Sequence, residues 1–562
     1  MSTAANQGGV PVSALGVERG CSMNPWIKRG RCVAAGLMLA GLCWSGVGWT
    51  QELRIGLQVD ITAIDPHFSN VDANSAMAAH IFSRLVERDD KLKLRPGLAT
   101  SWSLIDDRTW EFKLRRGVKF HDGGDFTAED AKVSLERVPA VPNAPSSFAI
   151  YVRQIKAIEI VDPYTIRLKT DELFTAMPLY MSTIAIMSKK ALSAAARPEN
   201  KDSRLLATTE QLNAGQGAVG TGPFRLVEWQ RGQHTILERF DDYFGDKPEW
   251  KRVTIRPITN NAARVAALLS GDVDLIDYVP ITDIGTLTRE PKLAVSDSVT
   301  VRIIFLALDR HREAPPFVVD SKGNPLGRNP FNDIRVRKAI SKAIDRKAIV
   351  ERVMDGQAVA TGQIMPEGFY GHSPTIAVEP LDVAGARQLL AEAGYPNGFG
   401  VTIHSPRNRY PNDAQITQAI AQMLSRIGIT AKVEAVPASV FFPRAQNLEF
   451  SFFLTGYGIV TGEPSSFLSF SIITHDAARG RGAGNRGRYS SAKVDALYDE
   501  ALRTADPAKA ESLLRQATEE AVADVGFIPL LHNLHVWAMR RDLAYPGRTD
   551  EYTLAHAIRT RK

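Results

Sequence analysis

Residues 95–137 read RPGLATSWSLIDDRTWEFKLRRGVKFHDGGDFTAEDAKVSLER. Trp110, Phe112 and Leu114 alternate there with Glu111, Lys113 and Arg115, the period of two that predicts a half-buried strand. Asp106 and Asp107 form a turn before it, and Gly117 and the run His121 to Gly124 break the chain after it. Thr127 is placed to cap a helix, with Glu129 and Asp130 in its first turn, where carboxylates favour the helix dipole. Strand, loop and capped helix together predict a small α/β unit. His121 has no second metal-type residue at ligand spacing, so it reads as a turn histidine beside an aspartate.

The same patterning extends in both directions. Upstream, LRIGLQVD puts Leu53, Ile55, Leu57 and Val59 on one strand face, and a helix is predicted over Ala76 to Leu85. Downstream, YTIRLK alternates again, and residues 190–216 are polar and alanine-rich without a clean period. Gly220-Thr221-Gly222-Pro223-Phe224 opens a strand-rich run, FRLVEW, TILERF and VTIRPI, followed by a helix from Asn261 to Ser270 that Gly271 stops. RIIFLALD then begins a second block. Helices are predicted from Asp333 to Ile344, Lys347 to Met354 and Ala384 to Ala393. VTIH, a helix from Gln415 to Ile427 and ITAKVEAV form a strand–helix–strand unit. FSFFLTGYG, two helices near residues 494–523 and a last strand, FIPLLHNLHVWAMR, complete the pattern. Two α/β blocks with a strand-like chain end predict lobes built from discontinuous segments.

With 562 residues, the chain is long enough for two or three lobes. Hydrophobic residues at 44% and charged residues at 23% are ordinary for a globular protein. The net charge of +6 is partly a property of the first fifty residues, whose four cations and one anion, taken from totals of 68 and 62, leave +3. So even a balance excludes a basic nucleic-acid-binding or membrane-surface protein. Met23 opens a segment with Lys28, Arg29 and Arg31, then the uncharged run from Cys32 to Gln51 with small residues at its end. That order predicts a secretory signal peptide with Met23 as the start, cut between Gly46 and Gln51. The alternative is an uncleaved anchor, for which VAAGLMLAGLCW is shorter than the roughly 20 residues that span a bilayer. Leu42 before Cys43 argues against a lipoprotein. All three cysteines (Cys21, Cys32 and Cys43) lie in or before this leader, so a secreted chain would have neither disulfides nor thiol chemistry.

Motifs for catalysis are missing: there is no GxSxG, no GxxxxGK[ST], no HExxH and no cysteine nucleophile. A dispersed carboxylate pair leaves no spacing signal and stays open. His532 and His535 lie three apart in a strand-like segment, which turns them to opposite faces and argues against a shared metal. Asp241 to Gly245 lacks EF-hand spacing. Arg479, Arg481, Arg486 and Arg488 among glycines read as a solvated loop or a phosphate site.

Residues 95–137, with the order GTGPF, strand, DDYFG, KPEW, strand, helix and GDVD, resemble the peptide-binding class (family 5) of extracytoplasmic solute-binding proteins that feed ABC importers. The resemblance implies an α/β, two-lobed fold of the class II periplasmic-binding type, with a small domain inserted in lobe I and a ligand cleft at the hinge. Its segments would be 51–85, 216–300 and 521–562 for lobe I, 86–215 for the inserted domain and 301–520 for lobe II, after a leader of residues 1–50. Two stretches match the family's ligand-contacting segments. In His404-Ser405-Pro406-Arg407-Asn408-Arg409-Tyr410, Arg407 stands where an arginine pairs with the peptide carboxylate, unless it is only a solvated loop residue. In Gly456-Tyr457-Gly458-Ile459-Val460-Thr461-Gly462-Glu463, Val460 stands where an aspartate captures the peptide ammonium. Valine cannot neutralise a buried ammonium. Either Glu463 takes over, or the ligand has no free amino terminus, or Glu463 only shapes its turn. Tyr457 replaces a tryptophan and either stacks on the ligand or packs the hinge. His404, Arg407, Tyr457, Val460, Thr461 and Glu463 are the candidate ligand contacts.

The implied protein is a monomeric periplasmic receptor without cofactor, metal site or catalysis. It would bind a short peptide or small peptide-like anion and dock on an ABC permease heterodimer with its ATPases. The alternatives are a nickel chelate, an opine, glutathione or an oligosaccharide as cargo, and, as a minor one, a periplasmic hydrolase.

Overall fold

Strand Glu52–Leu57 buries Leu53 and Ile55 and pairs in parallel with Arg252–Pro257 on one side and Leu275–Ile276 on the other. Val59, predicted on the same face, lies past the strand's end and is exposed. The computed structural model describes residues 51–197, 202–459 and 461–561. The leader and Val460 therefore lie outside the described residues, and so do Cys21, Cys32 and Cys43.

One twelve-stranded sheet runs through the molecule. At its centre two long strands, Leu293–Leu308 and Ile528–Arg540, lie antiparallel. Toward lobe I the sheet continues through Leu275–Ile276, Glu52–Leu57, Arg252–Pro257, His234–Arg239 and Phe224–Gln230. Toward lobe II it continues through Phe452–Gly458, Gly400–Arg407 and Thr430–Pro437. Pairing between the two central strands shifts register twice, between Val299↔Leu534 and Ile303↔His532 and again between Ile304↔Leu531 and Phe305↔Pro529. Thr300, Val301 and Arg302 thus sit outside the regular ladder where the sheet passes from one lobe to the other. Both long strands run through this irregular stretch from one half of the sheet to the other.

The opening segment forms its own four-stranded sheet, Ala99–Asp106, Thr109–Leu114, Thr165–Lys169 and Ala157–Asp162 in spatial order. Phe112, Leu114, Phe120, Phe126, Ile166 and Leu168 are buried beneath it. Thr127 caps the helix Ala128–Arg137, and its N–H donates to Asp130 at 2.9 Å, the reciprocal half of a capping box. His121 meets the Gly222 carbonyl at 3.0 Å and the edge of Phe240, a packed turn residue.

The first helix spans Asp72–Ile81, starting and stopping earlier than the sequence predicts. Past Ile81 the chain is extended because the Gly220–Gly222 segment docks on it: Gly222 N–H donates to the Ile81 carbonyl at 2.9 Å. Among the described residues no helix is long and apolar enough to cross a membrane, and no three His, Cys, Asp or Glu side chains gather as a metal site would need.

Candidate functional site in the cleft

Arg302 organises the floor of the cleft. Its guanidinium donates to both oxygens of Glu551 at 2.9 Å and to Asp72 in the first turn of the first helix at 2.7 Å. Tyr278 donates its hydroxyl to Glu551 at 2.7 Å, and its ring meets His535 at 4.1 Å. Burial pushes the Glu551 carboxyl up, but the Arg302 charge outweighs it and holds the group down to about 2. Tyr278 and Glu551 have φ of 44° and 66°, left-handed values that strain a residue with a side chain and that gather at functional sites. Gly458 passes so close that an added Cβ would lie 3.1 Å from the Arg302 guanidinium. A side chain there would crowd the arginine. Arg302, Glu551, Tyr278, His535, Arg409 and Tyr410 line a narrow crevice partly open to solvent.

Above this floor the walls are aromatic. Tyr457 packs on Phe467 and Phe470 at 5.7 and 5.2 Å. Burial raises its hydroxyl pKa, with Tyr151, Glu463 and Tyr498 near enough to add to the effect. Tyr151 and Tyr180 of the inserted domain meet edge to face at 5.2 Å, and Tyr498 of lobe II is pushed up to about 12 by burial. Such two-sided aromatic walls suit a ligand held by stacking and a few polar groups.

The lobes touch across the cleft. Leu92, at the tip of the hairpin formed by Val86–Arg88 and Leu94–Pro96, shares a core with Val301, Ile303 and Ile459 and sits against Gly462. Arg503 pairs with Glu172 at 2.9 Å, and Thr175 donates to the Leu502 carbonyl.

The sequence-predicted contacts are placed unevenly. Tyr457, Thr461 and Glu463 come together at one wall. Thr461 is buried and bonds Ser466 at 2.8 Å. Glu463 accepts from Ser465 N–H at 2.8 Å and from the Ser465 hydroxyl, so it serves its own turn. Burial raises its pKa, opposed by the Ser465 bonds and by the Arg88 charge. Arg407 is exposed at the end of its strand and makes no side-chain ion pair or hydrogen bond among the described residues. Arg409, two residues on, lines the crevice at the cleft floor and lies over the Tyr410 ring at 5.1 Å. His404 has no exposed surface: it stacks on Phe450 at 4.2 Å and lies 3.5 Å from Glu434. Three residues from Arg407 on one strand, it faces the other side of the sheet.

Sequence reasoning missed Asp72, Arg88, Tyr151, Tyr180, Tyr278, Arg302, Tyr498 and Glu551. Arg302 left a readable signal, a charge at the head of the apolar run IIFLAL. The others are scattered through unremarkable segments.

The fold and site together define a hinged solute receptor, and the comparisons agree. The chain belongs to the bacterial extracellular solute-binding proteins, family 5, whose middle-region model matches residues 93–478. It is 28% identical over 528 residues to the glutathione-binding protein GsiB of Shigella dysenteriae serotype 1, covering 92% of this chain and 96% of that protein. Among solved structures it resembles the periplasmic binding protein DppA of Helicobacter pylori in complex with the peptide STSA, with TM-score 0.74, 24% identity and coverage of 91% and 98%. It also resembles AgaA of A. tumefaciens R10 with agropinic acid, with TM-score 0.71, 25% identity and coverage of 91% and 99%. Members of the family are substrate-binding proteins of ABC importers, and this chain is one of them.

Proposed function

We propose that this receptor captures a short peptide or peptide-like anion in its interlobe cleft, closes about Thr300–Arg302, and delivers the cargo to an ABC permease heterodimer driven by its ATPases. It acts in the periplasm after loss of the leader, as a monomer, without a cofactor and without turning its cargo over. Residues 51–85, 216–300 and 521–562 form lobe I, residues 86–215 the inserted domain and residues 301–520 lobe II. The observation that carries the reading is that Tyr151 and Tyr180 stand near enough to Tyr457 and Tyr498 to raise one another's hydroxyl pKa, together with the Arg302–Glu551 pair and the Arg503–Glu172 and Thr175–Leu502 contacts. A ligand shifts such an equilibrium only by binding the closed state more tightly.

The cargo reading rests on the charges. Val460 supplies no counter-charge for an ammonium, and Glu463 is already engaged by Ser465. Arg407 and Arg409 favour a carboxylate. An acylated peptide or an opine-like acid without a free ammonium fits both facts better than a free dipeptide; the glutathione of one relative's name keeps an α-ammonium on its γ-glutamyl end and would need a counter-charge from elsewhere in the cleft.

A thermal-shift panel tests the reading, with di- to pentapeptides bearing free or acetylated amino ends beside glutathione, opines, sugars and metal chelates. A ligand at about 100 times its Kd adds roughly 2.7 kcal/mol. Stabilisation by acids without a free ammonium is expected. A panel in which only sugars or chelates stabilise would replace the peptide-like cargo. With the ligand found, Arg407→Ala should weaken calorimetric affinity by about tenfold or more, near 1.4 kcal/mol. Unchanged affinity there, with a loss in Arg409→Ala, would move the carboxylate partner two residues along.

A further inference from the structure

A second cavity, with empty space of about 750 Å³ partly open to solvent, lies between the first helix, the inserted domain and the C-terminal segment. Every residue lining it falls within 70–243 or 548–556, and none belongs to lobe II. Four arginines face it (Arg84, Arg88, Arg95 and Arg548) against the two carboxylates of Glu87 and Asp550.

The carboxylates are already engaged. Asp550 takes a two-pronged contact from Arg548 at 3.0 and 2.6 Å. Glu87 accepts the Arg84 backbone N–H at 2.9 Å and lies 4.0 Å from that guanidinium. Arg84 is 8% exposed, yet its Nε is buried without a partner. Arg88 bonds only the Ser182 hydroxyl, at 2.7 Å, and Arg95 makes no side-chain ion pair or hydrogen bond among the described residues. Burial pulls the Arg88 pKa down; Tyr552 and Asp550 oppose this, and the like charge of Arg84 adds to it. No carboxylate bonds Arg88, although the Asp550 and Glu463 charges reach it, and a bidentate oxyanion is the partner its fork fits.

We propose that this lobe I cavity is an oxyanion-binding site, taking a carboxylate or phosphate group between Arg88 and Arg95. The group comes either from a free anion or from the acid end of the transported solute; only the second source rests on the proposed function. Because lobe II contributes nothing to the lining, occupation does not require closure.

Calorimetric titration of the purified protein with succinate, inorganic phosphate and glutathione tests it, using wild type, Arg88→Gln, Arg88→Lys and Arg95→Gln. Saturable binding of at least one probe is expected, weakened about tenfold by Arg88→Gln, less by Arg88→Lys and several-fold by Arg95→Gln. Binding of succinate or phosphate assigns a free anion, and binding of glutathione alone assigns the acid end of a larger solute. Arg95 is on the surface, so a loss in its variant is not a folding defect. No saturable binding of any probe to the wild type overturns the site, as does affinity within about twofold of wild type in both Arg88→Gln and Arg95→Gln. Succinate binding in a protein that no peptide stabilises would remove the cargo reading and leave this site standing.

Discussion

A guanidinium at the crossing point of two lobes has to be matched by carboxylates, and Arg302 is matched by Asp72 and Glu551. The three groups join the central strand to the first helix and to the C-terminal segment, so the floor of the cleft is held by charge where the sheet's own ladder is interrupted. Removing one partner of a buried ion pair leaves the others unpaired, at a cost of about 3–5 kcal/mol. Arg302→Met should therefore lower the unfolding free energy by about that much at pH 7. Glu551 sets the sign of the pH dependence. Its folded pKa of about 2 lies below the unfolded value of about 4.3, so it contributes stability above the unfolded value that is lost as pH falls toward the folded one. The variant has no such contribution to lose. Urea unfolding should show a large gap between wild type and variant at pH 7 that narrows by pH 3, and an equal gap at both would mean that Arg302 acts through packing.

Elements in this fold are bounded by partners far away in sequence, and the Gly220–Gly222 segment shows how. A Cβ on Gly220 would lie 2.0 Å from the Ile81 carbonyl oxygen, a backbone atom that cannot step aside. Gly220→Ala should cost about 1–3 kcal/mol or more as an overpacked contact. Gly327→Ala, where a Cβ meets nothing within 4 Å, should be near neutral, and similar melting temperatures for the two variants would refute the close approach. The same contact explains what the sequence could and could not reveal. Alternation in Thr109–Leu114 and the cap at Thr127 are local, and both are legible in the sequence. The end of the first helix is not, because a segment some 140 residues on decides it. Nor is the irregular stretch between the lobes, since its shifted register exists only once Leu293–Leu308 meets Ile528–Arg540. The burial of His404 is legible: three residues from Arg407 on one strand, it has to face the other way. The tyrosines of the cleft wall carry no spacing signal, as four separate segments deliver them.

Over the whole molecule, folding buries an unusual set of imidazoles. His67, His80, His121, His532 and His535 are each held down to about 4, chiefly by burial. The unfolded value is about 6.5, so between these limits the unfolded chain binds more protons and stability falls as pH falls. Each histidine adds a slope approaching about 1.4 kcal/mol per pH unit within that window. Asp277 acts in the opposite sense. Burial pushes its carboxyl up to about 6, so below that pH the folded state holds a proton the unfolded chain releases, which offsets one histidine. The protein should lose several kcal/mol of stability between pH 7 and pH 5, read as a falling urea midpoint at constant m-value. Asp277→Asn, which keeps a carbonyl for the Gln58 N–H now bonded at 2.7 Å, should steepen that loss by about one proton's worth, roughly 1.4 kcal/mol per pH unit. A flat profile from pH 7 to pH 5 would mean that the histidines are hydrated or paired when folded. A slope unchanged by Asp277→Asn would mean that this carboxyl is ionised in the fold.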